Sequence, residues 1–195
     1  MFAWRCQEQP AASAEHPLRV IVGASSQDYE GWIRTQQDEL DLVRREDWER
    51  LFPNGGVSTI LAEHVWEHLT TEEARVAAAN CYDFLAPGGF LRCAVPDGYF
   101  PDAEYQRVVR VGGPGPADHP ATSHKVVYNY RTLRDVFHAA GFRVRLLEYW
   151  DEEGRFHAEE WDERENFVYR SARFDHRNQD GRLGFTSLIL DALKP

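Results

Sequence analysis

The sequence predicts an α/β fold built on a doubly wound, mostly parallel sheet. Two observations predict it. Short apolar runs rich in β-branched residues (18–22, 58–61, 90–95, 142–149 and 185–192) are interspersed with segments of helical periodicity (46–51, 71–85 and 131–140). That alternation makes parallel strands joined by crossover helices, with helices on both faces. Several runs also end in punctuation or in a burst of ionisable groups: Gly23, then Glu63-His64, then Pro96-Asp97. Right-handed crossovers gather such strand ends on one edge, where ligands bind.

Taken in order, residues 1–17 contain Pro10, Pro17 and several Ala and read as an irregular arm, from which Phe2 and Trp4 can pack on the domain or a partner. LRVIV at 18–22 is a buried strand closed by Gly23. A weaker strand covers 31–35, and a short helix covers 46–51 and stops at Pro53. Asn54-Gly55-Gly56 turns the chain into the central strand at 58–61. Thr70 is an N-cap and Glu73 completes its capping box. Ala74, Ala77, Ala78, Cys81, Phe84 and Leu85 then recur at helical spacing until Pro87-Gly88-Gly89 turns into the strand 90–95. A helix over 131–140, with Gly141 at its C′ position, leads to a strand at 142–149. Residues 185–192 close the sheet. The chain is thus one domain, 18–195, with excursions at 99–127 and 150–184.

The chain has 195 residues, of which 43% are hydrophobic, enough for one core. No run approaches the roughly 20 apolar residues of a membrane span. A formal net charge of -10 argues against a nucleic-acid partner, because phosphate is met by clustered Lys and Arg. Cys6, Cys81 and Cys93 are widely spaced with no CxxC, which points to a reducing, cytoplasmic setting. Cys81 and Cys93 fall on apolar faces and read as core. No basic segment followed by an apolar stretch opens the chain, so no signal peptide is expected.

The stretch VSTILAEHVWEHL at 57–69 concentrates the candidate chemistry: an apolar strand that opens into Glu63, His64, Glu67 and His68. The 99–127 excursion adds Asp118, His119, His124 and Lys125, followed by Tyr128 and Tyr130. A loop of that length is commonly functional. Residues 155–175 interleave charged and aromatic side chains, including His157, Trp161, Tyr169, Arg170 and Asp175. This suits a pocket wall or a homodimer interface equally well.

A strand ending in Gly at 20–25, a strand running into Glu67-His68-Leu69, a helix leading to Leu85-Ala86-Pro87-Gly88-Gly89, and a strand ending in Val95-Pro96-Asp97 together resemble the class I S-adenosylmethionine-dependent methyltransferases. Within them the chain looks like a small group of predicted methyltransferases carrying E-H-x-W-E-H-L. The resemblance covers about 18–149, and the last strand also fits. It implies a Rossmann-like sheet with an antiparallel C-terminal strand, S-adenosyl-L-methionine as cofactor and a small-molecule methyl acceptor. In the family a Gly-rich turn and a helix N-terminus meet the donor's amino-acid end; the turn here is Gly23-Ala24-Ser25-Ser26, with Ser25 at the family's second Gly. An acid holds the donor ribose; Gln36 stands at that position, with Asp38 close by. Asp47 and Trp48 lie where the family contacts adenine, and Glu63 and His64 where it lines the donor pocket. His64 or His124 would serve as base where the acceptor must lose a proton, and Asp97 would orient the acceptor.

Two other functions fit the residues. The altered Gly turn and Gln36 suit a methyltransferase-like protein that has lost catalysis and binds a metabolite or partner. His64-Val65-Trp66-Glu67-His68 also matches H-x-x-E-H, in which two His four apart on a helix hold zinc and Glu67 acts as base. The capping box beginning at Thr70 argues against one regular helix there, and no metal is expected on the methyltransferase reading.

Overall fold

The computed structural model describes residues 17–113, 119–178 and 181–195. The arm with Phe2, Trp4 and Cys6, and Asp118 in the long excursion, lie outside the described residues. Among these residues seven strands form one sheet: β1 (Leu18–Val22), β2 (Trp32–Thr35), β3 (Val57–Glu63), β4 (Leu85–Pro96), β5 (Arg143–Trp150), β6 (Phe156–Ala158) and β7 (Ser187–Leu193). Their order is β2-β1-β3-β4-β7-β5-β6. The pairs β1–β2, β1–β3 and β3–β4 are parallel, and β7 runs antiparallel to both β4 and β5. This is the mostly parallel sheet with an antiparallel last strand that the sequence predicts.

Among the described residues four α-helices accompany it: α1 (Arg45–Leu51), α2 (Thr71–Phe84), α3 (Ala103–Val109) and α4 (Tyr130–Ala139). The predicted capping box starts α2: Thr70 Oγ1 accepts from the Glu73 amide, and Glu73 Oε2 accepts from the Thr70 amide at 2.7 Å. Its buried face includes Ala74, Ala77, Ala78 and Cys81, small side chains that let helix and sheet approach closely, together with Asn80 and Phe84. The chain passes from α2 directly into β4. Gly89 sits there because a Cβ would lie 2.8 Å from the Ser58 carbonyl oxygen. The 99–127 excursion, read as a loop, contains α3, which Asp102 caps by accepting the Tyr105 amide.

The alternation of elements predicts helices on both faces. In the structure α1, α2 and α4 share one face, packed on Val20, Val22, Ile60, Ala62, Cys93 and Val95. The opposite face, from Ile21, Leu61, Ala94, Leu147 and Ile189, receives Val168 and Trp161 of the second excursion instead. The reason lies in the residues between those apolar ones. Arg92 on β4 is opposite Asp191 on β7, and the two form a buried bidentate ion pair at 2.7 and 2.8 Å. Arg92 also donates to the Asn166 carbonyl and lies 4.7 Å from the Trp161 ring centroid. Glu148 accepts from the Trp161 indole and the Ala172 amide. Irregular backbone placed on a sheet face needs partners for its polar groups, and these side chains supply them. Arg92→Ala leaves Asp191 buried without its counter-charge; a loss of about 3–5 kcal/mol is expected, measured by urea denaturation.

Candidate functional site

The sheet order reverses between β1 and β3, and a ligand crevice in such sheets opens at the carboxyl ends of the strands flanking that reversal. A cavity of about 420 Å³ lies there, lined by the loop Gly23–Tyr29, Glu63 at the end of β3, and Phe167, Tyr169 and Arg170. Its size falls within the range of small-molecule sites.

The loop connects two parallel strands without a helix, so it brings no helix N-terminus of its own to the cavity, unlike the family pattern. It holds its shape by other means. Gly23 has φ +60, and a Cβ on it would meet Val65 Cγ2 at 2.8 Å. Ser25 adopts φ 48, a left-handed conformation that Gly takes more easily. It is pinned by Gln36, whose Oε1 accepts the Ser25 amide and whose Nε2 donates to the Ser25 carbonyl. Both ends of the Gln36 amide are therefore spent on the loop. Ala24 is buried and donates its amide to Thr35.

Glu63 closes the other side. It is nearly buried, and its carboxylate accepts from Gln27 Nε2 at 2.6 Å, the Tyr169 amide at 3.0 Å and the Arg170 amide at 2.9 Å. The Arg170 guanidinium is 4.0 Å away. Tyr29 packs edge-on to Trp32 and Phe167, and burial, with help from Glu63, pushes its hydroxyl up to about 12.

His64 follows with φ 58. Only Trp66–His68 form a turn of 3₁₀ helix, so His64 and His68 do not share an α-helical face and the H-x-x-E-H zinc arrangement is absent. His64 Nδ1 lies 3.0 Å from Glu67 Oε1 and Nε2 lies 2.9 Å from Ser187 Oγ. Glu67 is fully buried; burial works to raise its carboxyl, but His64 and His68 beside it together hold it below the usual range. His124 sits across from His68, with ring centroids 5.0 Å apart.

Six predicted site residues are not among those lining the cavity: Gln36 is turned onto the loop, His64 and His124 lie in the cluster around Glu67 and His68, and Trp48, Asp47 and Asp97 lie elsewhere. Trp48 is fully buried, stacks on Phe84 and donates its indole N–H to Leu42, so it is a core residue and presents no face to adenine. Asp47 accepts the Asp41 amide and pairs with Arg50, which holds it below the ordinary carboxylate range. Asp97 is wholly buried, and its two oxygens accept the Tyr99 and Trp150 amides. It fastens the end of β4 to β5 rather than facing an acceptor. Gln27 and Tyr29 complete the cavity but carry no motif; Phe167, Tyr169 and Arg170 belong to the charged and aromatic stretch read as either a pocket wall or a homodimer interface. Among the described residues no helix is long and apolar enough to cross a membrane, and Cys81 and Cys93 are buried free thiols.

No family model and no curated protein matches the sequence. Solved structures do match in fold. A SAM-dependent methyltransferase from Archaeoglobus fulgidus superposes with a TM-score of 0.52 at 14% identity, over 91% of this chain and 86% of that one. A SAM-dependent methyltransferase from Thermotoga maritima, described as a possible histamine N-methyltransferase, gives 0.50 at 12% identity over 91% and 82%. The fold is that of the class I methyltransferases.

Asp97 gives the site's surroundings a pH signature. Burial lifts its carboxyl to about 6, against the two amides that favour the anion. With a folded pKa above the unfolded one, its contribution is fully present below about pH 4 and is lost as pH rises through about 6. Asp97→Asn is expected to remove that decline from the pH profile of denaturation midpoints.

Proposed function

We propose that this protein transfers a methyl group from S-adenosylmethionine to a small-molecule acceptor. The observation that supports this best is the cavity at the reversal point of a methyltransferase-type sheet, bounded by the Gly23 turn and Glu63. The donor carries a carboxylate, an ammonium and a sulfonium. The cavity offers Arg170 to the first, and Asp28 and Glu63 as negative charge near the other two. Arg170 takes over the task that a helix N-terminus performs in the family, since a guanidinium binds a carboxylate through paired N–H groups. Tyr169, about half exposed, presents a ring to the nucleobase.

The donor supplies an activated methyl on its sulfonium. The protein's residues align donor and acceptor and keep water out, which accounts for much of the acceleration in such displacements. His64 is the best-placed base, because it immediately follows the cavity residue Glu63 and its Nδ1 lies 3.0 Å from the buried Glu67 carboxylate. The reading carries with it a small-molecule acceptor and a cytoplasmic setting.

Calorimetry with S-adenosylmethionine and S-adenosylhomocysteine tests it. One molecule of each is expected to bind per chain. Arg170→Ala is expected to weaken both by about 10-fold or more, the worth of a hydrogen-bonded charge pair. His64→Gln is expected to keep donor binding and lose turnover with acceptors that must shed a proton. Absence of binding by the wild-type chain at millimolar donor overturns the reading and favours a lapsed fold.

A further inference from the structure

Beside the cavity, Glu67, His68 and His124 converge so that one ligand atom from each lies within 4.8 Å of the others. We propose that these three residues bind a single divalent transition-metal ion, of which zinc is the best fit. This stands independently of the methyl-transfer reading.

The hydrogen bonds set both imidazoles for ligation. His124 Nδ1 is 2.9 Å from the Val109 carbonyl oxygen, which can only accept, so Nδ1 carries the proton and Nε2 the lone pair. His68 Nδ1 is 2.9 Å from Ser123 Oγ. The single hydroxyl proton of Ser123 is given to the Pro120 carbonyl at 2.8 Å, so Ser123 accepts from His68 and again leaves Nε2 bare. A ligating His that donates its other N–H to a carbonyl or other acceptor is the usual second layer of a metal site. Glu67 supplies the independent observation. Its side chain is 1% exposed, and neither carboxylate oxygen has a partner in hydrogen-bonding geometry, even though His64 Nδ1 is 3.0 Å away. A buried carboxylate in that condition is costly unless something pairs with it, and a cation between it and two bare imidazole nitrogens does so.

The backbone holds the groups in place. The Lys125 and Val126 amides both reach the Glu67 carbonyl, which lashes the His124 loop to the turn carrying Glu67 and His68. Zinc bonds of about 2.0–2.1 Å put tetrahedral ligand atoms roughly 3.4 Å apart. Rotation of the partly exposed His68 closes the remaining gap. Two nitrogens and one carboxylate suit zinc and its borderline neighbours over magnesium or calcium. Three protein donors leave a coordination position for water or a bound molecule. Occupation commits the His124 lone pair to the metal, which makes His124 a ligand and not a base.

The test uses the full chain, stripped with chelator and titrated with Zn²⁺ and, as a spectroscopic probe, Co²⁺. One equivalent is expected to bind, with Co²⁺ giving visible ligand-field bands that Zn²⁺ abolishes. His124→Gln and Glu67→Gln are expected to lose the bands, Ser123→Ala to weaken binding about 10- to 100-fold, and His138→Gln, exposed on α4, to match wild type. Protection of His68 and His124 from diethyl pyrocarbonate by Zn²⁺ in the unmutated chain provides a readout that needs no variant. A wild-type chain that binds neither ion, or a folded His124→Gln chain that binds as well as wild type, overturns the proposal.

Discussion

The carboxylate of Glu63 is the point on which the site depends. It ends β3 and accepts hydrogen bonds from Gln27 in the first-strand loop and from two consecutive amides, Tyr169 and Arg170, in the last excursion. Three segments far apart in sequence meet on one anion. Bonds to an ionised acceptor are about twice as strong as neutral ones, and these are largely removed from water. Without them the cavity has no wall on the excursion side. Glu63 itself has little capacity left for a ligand, so its part is to hold the residues that do the binding.

The second excursion reaches Glu63 because the sheet face beneath it is polar where most such faces are apolar. Arg92, Asp191 and Glu148 alternate with Ile189, Ala94 and Leu147 across the central and C-terminal strands. A helix satisfies its own backbone and wants an apolar bed, whereas irregular chain needs partners, and a polar row provides them. Among its described residues this layer holds the 3₁₀ turn His176–Asn178 and no α-helix, in place of the helices expected on this side. It also delivers Tyr169 and Arg170 to a first-strand loop that has no helix of its own.

Much of this was legible in the residues. Six of the seven strands, the capping box at Thr70 and the turn at Gly23 follow from local chemistry and lie where expected within a few residues; β4 begins at Leu85 and takes in the expected Pro87-Gly88-Gly89 turn, and the three-residue β6 was not singled out. The α3 helix escaped because it lies inside a Gly- and Pro-rich stretch that reads as loop on both sides of it. The arrangement of the second face escaped because an isolated Arg92 in an apolar run says nothing about Asp191, its partner 99 positions away. Trp48 and Asp97 show the same limit from the other side. A Trp on a short helix and an Asp after a strand carry no sequence mark that tells a ligand contact from a core contact, and burial assigned both to the core. The H-x-x-E-H spacing suggested a helix that the left-handed turn at His64 does not allow, while the residue that joins Glu67 and His68 comes from a distant loop.

Amide hydrogen exchange at Tyr169 and Arg170 tests the role of Glu63 most directly. The account predicts slow exchange of both amides in the wild-type chain, slower still with S-adenosylhomocysteine, and fast exchange in Glu63→Gln under either condition. Equal protection in the two chains would contradict it.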